Sequence, residues 1–425
     1  MERATSTARE RAQGAWAGNP SRVLARLRGA VGAVPGQTAS WARWERVAFG
    51  AVLLLAAVLN LARLDRQGDG NLYYTATVKS MLTSWSNFFF ASFDPGGLST
   101  ETKPPLGFWV QAAFAAVFGV SGWSVILPQA IAGVLSVALL HGLVRRSFGP
   151  AAGLVAGLVL ALTPISVAVN RNNTIDALLI LCLLGAAWAA LRATERGSLR
   201  WLLLAAALVG VGFNIKMLQA YLVLPAIFLV YLVGAERRLA TRVAHLAAAT
   251  VVLLVVSFSW ATAVELTPED RRPYVGSSEN NSVINLVLGY NGLLRLLPDG
   301  ALRSALLGDE EEDANPIPGT SGGNSVEIGA PGPLRLFNRQ LGGQIAWLLP
   351  LAVVGLVAAW WQGRPGLAGW SIRSGRHRAL VLWGGWLLTA AGFFSVASLF
   401  HRYYLVTMAA PIAALAGAGV DALWA

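Results

Sequence analysis

Charged side chains are scarce in this sequence. Only 13% of its 425 residues are Asp, Glu, Lys or Arg, whereas 55% are hydrophobic. Soluble domains carry about 25% charged residues, so the composition excludes an ordinary soluble protein of this length. It indicates an integral membrane protein.

Acidic residues and cysteine are also few. The chain has 22 Asp and Glu against 33 Lys and Arg, for a net charge of +11, and a single cysteine, Cys182, in an apolar run. Disulfide bonds therefore contribute nothing to the expected fold. The Arg residues cluster in short stretches between apolar runs, which is the positive-inside pattern of membrane proteins. We therefore expect membrane lipids, and no nucleic acid, as partners.

The first 44 residues lack a sustained apolar run. They are rich in Arg, Ala, Gly and Ser, and a secretory signal peptide would place its apolar segment nearer the N-terminus. We expect residues 1–44 to form a disordered, basic cytoplasmic tail, and residues 45–425 to form an all-α, polytopic transmembrane domain.

Long apolar runs predict about ten membrane spans. The predicted spans are Val47–Leu61, Val125–Val144, Ala151–Val169, Ala177–Leu191, Trp201–Phe213, Ala220–Val233, Val243–Ala263, Ile345–Trp361, Ala379–Phe400 and Tyr403–Trp424.

One further run, residues 106–120, is short for a span. If it does not cross, the basic N-terminus and all later Arg clusters fall on the cytoplasmic side, which satisfies the positive-inside rule. We therefore interpret it as a juxtamembrane helix. In this topology residues 66–105 form a first outer loop and residues 265–344 a long outer loop. Two short outer turns lie at residues 170–176 and 214–219.

The first outer loop is too long and too polar for a simple connection. Asp69 is its best-placed candidate for a general base, although the Gly-Asp-Gly-Asn sequence around it also suits a plain turn. Glu101 stands two residues before Lys103, which Pro104 and Pro105 follow. Lys103 is either a cation held at the level of lipid phosphates or a lysine that snorkels at a helix start.

The other outer turns add polar candidates. Asp176 closes a turn that also holds Arg171, Asn172 and Asn173, and it could instead favour the start of the next helix. Lys216 interrupts an apolar stretch, which marks a functional candidate unless the break lies in solvent. His401 and Arg402 sit in the last outer turn, where an Arg can also serve as a headgroup anchor.

These candidates together predict one kind of reaction. Several cations at headgroup level can neutralise charge that develops on a phosphate, while a carboxylate deprotonates or orients an acceptor. Such a set suits a reaction in which a polyprenyl phosphate is the leaving group.

Several segments resemble the GT-C glycosyltransferases of family 39, which includes bacterial protein O-mannosyltransferases and ArnT-like transferases. The segments that carry the resemblance are residues 71–81, 88–90, 103–106, 170–176, 216–219, 272–277, 280–282, 289–292 and 401–404. The resemblance runs from about residue 45 to the end and implies the GT-C fold. It also implies relatives that extend further at the C-terminus.

The resemblance implies inverting transfer of a sugar from a polyprenyl-phosphate carrier to an extracytoplasmic acceptor. The acceptor would be a cell-envelope glycan, lipid or protein, and the active site would face outward from the bacterial plasma membrane. Asp69 replaces the Asp-Glu pair of the wider superfamily as first choice of base, with Asp176 and Glu101 in support or holding a divalent metal. The expected phosphate-binding residues are Lys103, Lys216, Arg402 and Arg171. The expected substrate-binding residues are Asn71, Tyr73, Tyr74, Asn172, Asn173, His401 and Tyr403.

Two other functions remain open at the level of sequence. A lipid-linked sugar transporter or flippase would need a polar path through the membrane, yet the spans hold few charges and no inverted repeat is evident. A non-catalytic accessory subunit would bind the lipid-linked sugar without consuming it. The sequence leaves the sugar, whether hexose or pentose, and the acceptor undefined.

Overall fold

The structure is a computed structural model that describes residues 42–292, 327–362, 372 and 374–424. The chain divides into two units, residues 1–47 and residues 48–425. The first unit is described only from residue 42 onward, so the predicted cytoplasmic tail lies almost wholly outside the described residues. The second unit is an assembly of helices, and the only β-structure found among the described residues is two isolated bridges.

The first half of the described chain forms eight α-helices, two of which lie within the first outer loop. In chain order they are α1 (Arg43–Leu61), α2 (Leu72–Met81), α3 (Trp85–Phe90), α4 (Leu106–Phe118), α5 (Gly122–Phe148), α6 (Pro150–Leu162), α7 (Pro164–Asn170) and α8 (Asp176–Arg196).

The second half alternates long helices with irregular connections. Its helices are α9 (Leu199–Lys216), α10 (Leu224–Gly234), α11 (Leu239–Ser257), α12 (Ser259–Glu265), α13 (Val283–Leu288), α14 (Leu349–Gln362), α15 (Gly375–Val396) and α16 (Val406–Trp424).

Seven helical segments of the described chain are long and apolar enough to cross a membrane. An eighth is reached if α6 and α7, which are bent by 62° at their junction, count as one span. The protein is therefore a multi-pass membrane protein, but the predicted number of about ten spans is not confirmed. Among the predicted spans, Ile345–Trp361 corresponds to the shorter helix α14 of 14 residues.

Two predicted spans, Trp201–Phe213 and Ala220–Val233, fall within one helical segment of 36 residues, Leu199–Gly234. A 3₁₀ turn at Met217–Val223 joins its two limbs, α9 and α10. Arg237, after the second limb, donates from Nε to the Gly197 carbonyl, before the first limb, over 3.0 Å. The segment therefore folds back on itself and brings Lys216 to the turn of a hairpin.

The short helix α4 begins and ends at the same end of the bundle. Near its start, Gly107 packs against the Ile175 side chain, and in its middle Gln111 donates to the Asn173 carbonyl over 2.6 Å. Just beyond its end, Gly122 packs against the Gly68 carbonyl so closely that a Cβ would overlap it. The Asn71 amide bonds Asn173 over 2.7 Å, which joins these two contact regions. A juxtamembrane helix has this arrangement.

Small residues let the most buried helix, α16, approach its neighbours closely. Gly417 lies against the backbone of Ala152 in α6, and Gly419 lies against Gly355 in α14, with no room for a Cβ at Gly417 or Gly419. Association of helices in lipid depends on such close packing, since burial of apolar surface provides little drive there. This packing fixes α16, and with it the turn at residues 401–405 that leads into the helix.

Candidate active site

Two lysines from distant parts of the sequence line the same cavity. Lys103 comes from the first outer loop and Lys216 from the end of α9, and the cavity between them measures about 210 Å³. Both side chains are almost fully buried, with 4% of each residue exposed. Most of the remaining wall is apolar or aromatic, and the other lining residues are Leu218, Gln219, Tyr221, Leu222, Asn291, Gly292, Phe393 and Tyr404.

Lys103 joins the first loop to the long loop. Its Nζ donates to Oδ1 of Asn291 over 2.5 Å and lies 4.8 Å from the centre of the Tyr290 ring. The Asn291 amide in turn donates to the Thr102 carbonyl over 2.8 Å. These contacts hold the ammonium at the cavity wall.

Lys216 forms a buried ion pair with Asp176. The ammonium lies 2.6 and 2.5 Å from the two carboxylate oxygens, and the Asp176 residue has 0% exposure. Two aromatic rings cover the same ammonium, with centres 4.5 Å away in Tyr403 and 3.8 Å away in Tyr404. A cation over aromatic faces gains further electrostatic attraction. The predicted residues Asp176 and Tyr403 therefore position Lys216.

Backbone geometry places Lys216 at the turn. Met217, which follows it, has a φ of +45° although it is not glycine. Such a conformation is strained for a residue with a large side chain and persists only where the surroundings hold it. The Met217 side chain is fully buried, so packing of that side chain offsets the strain. The sharp change of direction ends α9 immediately after the lysine.

Gln219 connects the ion pair to the last helix. Its amide donates to Oγ1 of Thr407 over 2.8 Å and lies 3.4 Å from Oδ1 of Asp176. Thr407 also donates to the Tyr404 carbonyl over 2.7 Å. The start of α16 is thereby tied to the hairpin turn that carries Lys216.

Glu101 is a buried carboxylate beside Lys103. It has 0% exposure and accepts hydrogen bonds from Thr77 over 3.4 Å and from Thr102 over 3.1 Å. The Tyr73 hydroxyl also donates to it. Burial raises the pKa of Glu101 to about 7, even though the positive charge of Lys103 acts in the opposite direction. A carboxyl group with a pKa near neutrality is suited to general acid–base chemistry.

Tyr73 and Tyr74 lie at the start of α2 and flank this carboxylate. Burial raises the pKa of both phenols well above the usual range, and the nearby Glu101 charge adds to the effect. Both hydroxyls therefore stay protonated. The charge of Asp176 also contributes to the raised pKa of Tyr74, so both buried carboxylates act on this phenol.

Asn71 and Asn173 form a clamp between the first outer loop and the turn before α8. Asn71 caps α2 by accepting from the amides of Tyr73 and Tyr74 over 3.0 and 3.3 Å. Asn173 accepts from the Asn71 amide and donates to Oγ1 of Thr75 over 2.8 Å. Asn172 accepts from the Thr174 amide within its own turn. The side-chain amides that were expected to bind substrate thus form hydrogen bonds within the protein. Those of Asn71 and Asn173 hold α2 in place.

The three remaining basic candidates lie outside the cavity wall. Arg171 donates to the carbonyls of Leu59 and Ala62, each over 2.9 Å, and so ties the end of α1 to the turn before α8. Arg402 pairs with Glu327 over 3.4 Å, and His401 lies 3.5 Å from the same carboxylate. Glu327 belongs to the long loop, so these contacts attach that loop to the turn before α16.

Asp69, the first choice of base from sequence, lies at the surface. Its side chain is exposed, and its carbonyl accepts a hydrogen bond from Thr75 over 2.7 Å. The structure brings Glu101, Lys103, Asp176 and Lys216 into buried positions around the cavity but leaves the Asp69 carboxylate in solvent. Within the described residues, no three of His, Cys, Asp and Glu come together as a metal site would require.

Sequence reasoning did not single out several residues of the site. Asn291 and Tyr290 bind Lys103, Thr77 binds Glu101, and Gln219 and Tyr404 surround Lys216. The Gly-Tyr-Asn-Gly sequence around Asn291 carried a signal, because it belonged to the segments behind the family resemblance. No local pattern indicated that Asn291 pairs with a lysine 188 positions away.

Comparison with known proteins agrees with this architecture. Residues 102–260 match a family model described as dolichyl-phosphate-mannose-protein mannosyltransferase. Two Bacillus subtilis (strain 168) proteins, both named as candidate mannosyltransferases, are similar over most of the chain. YycA is 41% identical over 432 residues, and YkcB is 39% identical over 441 residues.

Both relatives are longer than this chain. The matches cover 87% and 88% of the chain but only 62% of YycA and 61% of YkcB. The chain therefore spans less than two thirds of the length of either protein.

A solved structure shares the fold. ArnT from Cupriavidus metallidurans bound to undecaprenyl phosphate superposes with a TM-score of 0.55 at 21% sequence identity. The superposition covers 89% of this chain and 60% of ArnT. At this level of identity the likeness concerns the fold.

Proposed function

We propose that the chain is a GT-C glycosyltransferase, and that it transfers a sugar from a polyprenyl-phosphate carrier to an acceptor outside the cell. The reaction takes place at the outer face of the bacterial plasma membrane, and the N-terminus lies in the cytoplasm. The main evidence for this proposal is that Lys103 and Lys216 line the same cavity. Undecaprenyl phosphate bound to ArnT, which has the same fold, supports this class of donor.

The cavity suits both ends of such a donor. Its apolar wall, with Leu218, Leu222 and Phe393, fits an isoprenoid chain, while its two ammonium groups fit the phosphate. Buried cations bind an anion more strongly than exposed ones because less water competes with them. As the bond to the sugar breaks, negative charge grows on the phosphate, and the two lysines stabilise that charge.

Glu101 is the base in this proposal. The acceptor hydroxyl oxygen forms a bond to the anomeric carbon, the bond from that carbon to the phosphate oxygen breaks, and the hydroxyl proton passes to the Glu101 carboxylate. Attack from the side opposite the phosphate inverts the configuration. We prefer Glu101 to Asp69 because Glu101 is buried next to Lys103 and has a raised pKa, whereas Asp69 is exposed.

Asp176 acts through Lys216. Both of its oxygens bind the ammonium, so it fixes the position of that cation. Asp176 is a positioning residue in this mechanism. Of the four cations predicted at the phosphate, this mechanism uses Lys103 and Lys216 there and leaves Arg171 and Arg402 out.

The test measures release of polyprenyl phosphate by the purified chain in lipid nanodiscs. A panel of undecaprenyl-phosphate-linked hexoses and pentoses serves as donors, with a cell-envelope extract as the source of acceptor. We expect release with at least one donor and a loss of about 100-fold or more in Lys103→Ala and Lys216→Ala, as when one preorganised electrostatic group is removed from an enzyme. Lys79→Ala is the matched control, since Lys79 is an exposed lysine of the nearby helix α2.

Two outcomes would contradict the proposal. Movement of intact donor across the bilayer without its consumption would identify a transporter. Binding of donor without release of polyprenyl phosphate, in the presence of the extract, would identify an accessory subunit.

A further inference from the structure

We propose that Tyr73 and Phe93 form a binding subsite for the acceptor, and that its ligand is a pyranose ring of a carbohydrate. The two rings stack with centres 4.4 Å apart and an interplanar angle of 27°. The Tyr73 hydroxyl donates to Glu101, the proposed base. This inference rests on the proposed transferase function, because it assigns the acceptor class to the surface next to that base.

The ring pair is held in place before any ligand binds. The Tyr73 amide is capped by Asn71 over 3.0 Å. The Phe93 amide donates to the Ser99 carbonyl over 2.9 Å, inside a turn closed by the bridge between Ser92 and Thr100. A rigid aromatic side chain loses little conformational entropy on binding, so it serves well as a recognition surface.

The pair is open to a ligand, unlike the carboxylate behind it. Tyr73 is 36% exposed and Phe93 is half-buried, whereas Glu101 has 0% exposure. Exposed apolar side chains continue the surface on the next turns, with Leu98 at 76% and Tyr274 at 44%. The Tyr274 amide bonds the Leu98 carbonyl over 2.8 Å, so these two lie side by side. An acceptor thus meets aromatic rings before it meets Glu101.

The chemistry of this surface fits a sugar. A pyranose ring has a face of C–H groups, which bear slight positive charge, and the face of an aromatic ring is slightly negative. Its hydroxyl groups lie around the edge, where one of them can reach the Tyr73 hydroxyl or Glu101. Ligand sites commonly combine an aromatic wall with a few placed polar groups in this way.

Other acceptors fit less well. A lipid chain over Tyr73 would bury its hydroxyl and the Glu101 carboxylate against hydrocarbon, and buried polar groups without new partners cost free energy. A phosphate-rich acceptor would lie close to Glu101, while Lys103 lines the donor cavity. A peptide hydroxyl could reach Glu101 but would not use the stacked rings.

Saturation-transfer difference NMR tests the subsite directly. The full chain in nanodiscs is mixed with the methyl pyranosides of glucose, mannose and N-acetylglucosamine, and with their disaccharides. Each ligand is present at a millimolar concentration. We expect saturation of the C–H protons on one ring face of at least one saccharide. Phe93→Leu, which removes the ring but stays apolar, should weaken binding about fivefold, the size typical of an aromatic contact. Phe93→Trp should retain it.

Three results would overturn the inference. These are no saturation of any saccharide, equal binding in wild type and Phe93→Leu, and binding of an uncharged serine-containing peptide that depends on Phe93 while saccharide binding does not. Thermal unfolding of each variant shows that it folds. If the saccharide contact depends on Phe93 but no donor is ever consumed, the transferase proposal falls and the saccharide subsite stands.

Discussion

At the scale of single residues, the pair of Lys216 and Asp176 makes the stability of the protein depend on both charges. Asp176→Asn leaves the ammonium buried with 3% of its side chain exposed and without its carboxylate. Loss of one partner from a buried pair destabilises proteins by about 3–5 kcal/mol. We expect Asp176→Asn to lower the midpoint of thermal unfolding in nanodiscs markedly.

A double variant separates charge from packing. Asp176→Asn combined with Lys216→Met removes both charges and keeps the lysine volume, so it should recover most of the lost stability while remaining inactive. A double variant as unstable as Asp176→Asn alone would mean that Asp176 supports the fold by other contacts.

If Glu101 is the base, the activity should depend on pH in a specific way. A base works only when ionised, so turnover should rise with pH through about 7, the pKa of Glu101. Glu101→Gln should lower turnover about 100- to 10,000-fold, as expected for loss of a general base. It should also remove the rise near pH 7. A full loss in Asp69→Asn with a normal rate in Glu101→Gln would return the role to Asp69.

The same carboxyl group links pH to stability with the opposite sign. Its pKa is raised in the folded state, so between pH 4.5 and about 7 the folded protein holds a proton that the unfolded chain releases. The stabilisation is complete below pH 4.5 and is lost as pH rises through about 7. Thermal unfolding of wild type relative to Glu101→Gln across this range measures the effect.

At the scale of elements, the long loop is attached to the first outer loop by a close backbone contact. Gly276 lies so near the Thr100 carbonyl that a Cβ would come within 2.4 Å, and its amide donates to Oγ1 of Thr100 over 3.0 Å. The neighbouring bridge joins Ser99 to Tyr274. Thr100 precedes Glu101, so this contact positions the proposed base.

Gly276→Ala should therefore separate the two loops. We expect a loss of stability of about 1–3 kcal/mol, in the range for overpacked sites, and a larger fractional loss of turnover than of donor binding. Gly332→Ala is the matched control in the same long loop, since a Cβ there meets nothing within 4 Å. Equal behaviour of the two variants would show that the loop contact does not position the site.

Sequence patterns predicted where the long helices lie better than they predicted the number of membrane spans. Long apolar runs predicted the long helices, because a segment that crosses lipid must bond its backbone groups internally and therefore forms a helix. The folded-back segment of α9 and α10 was readable from the polar break around Lys216. The short helix α14 was predicted as a full span, because hydropathy does not report where a helix begins and ends.

The residues of the site also differ in how well the sequence predicts them. Lys103, Lys216 and Asp176 stand out in sequence because ionisable groups are rare beside apolar runs. Their partners do not stand out, since Asn291 and Tyr404 are ordinary residues until the fold brings them to a lysine. Burial favours Glu101 over Asp69 as the proposed base, and burial depends on contacts such as that with Thr77, which lies 24 positions away in the sequence.

At the scale of the whole molecule, the helices separate the end that carries the two site lysines from an end that carries an Arg-rich segment. Lys216 and Lys103 lie at one end, and the Arg-rich segment 237–242 lies at the other, across the 18 residues of α9 or about 27 Å. From the positive-inside rule we predict that the Arg-rich end faces the cytoplasm. The lone cysteine makes this orientation testable, because Cys182→Ser gives a background without thiols.

In that background, exposed residues at each end are replaced by cysteine in turn. Glu269, near the segment that bonds Leu98, represents the site end, and Arg238 represents the opposite end; both are exposed. A membrane-impermeant maleimide added to intact cells should label Glu269→Cys, and it should label Arg238→Cys only after the cells are broken. The reverse pattern would place the lysine cavity in the cytoplasm. Donor sugars would then have to reach the site from inside the cell, so the labelling experiment decides which membrane face supplies the substrate.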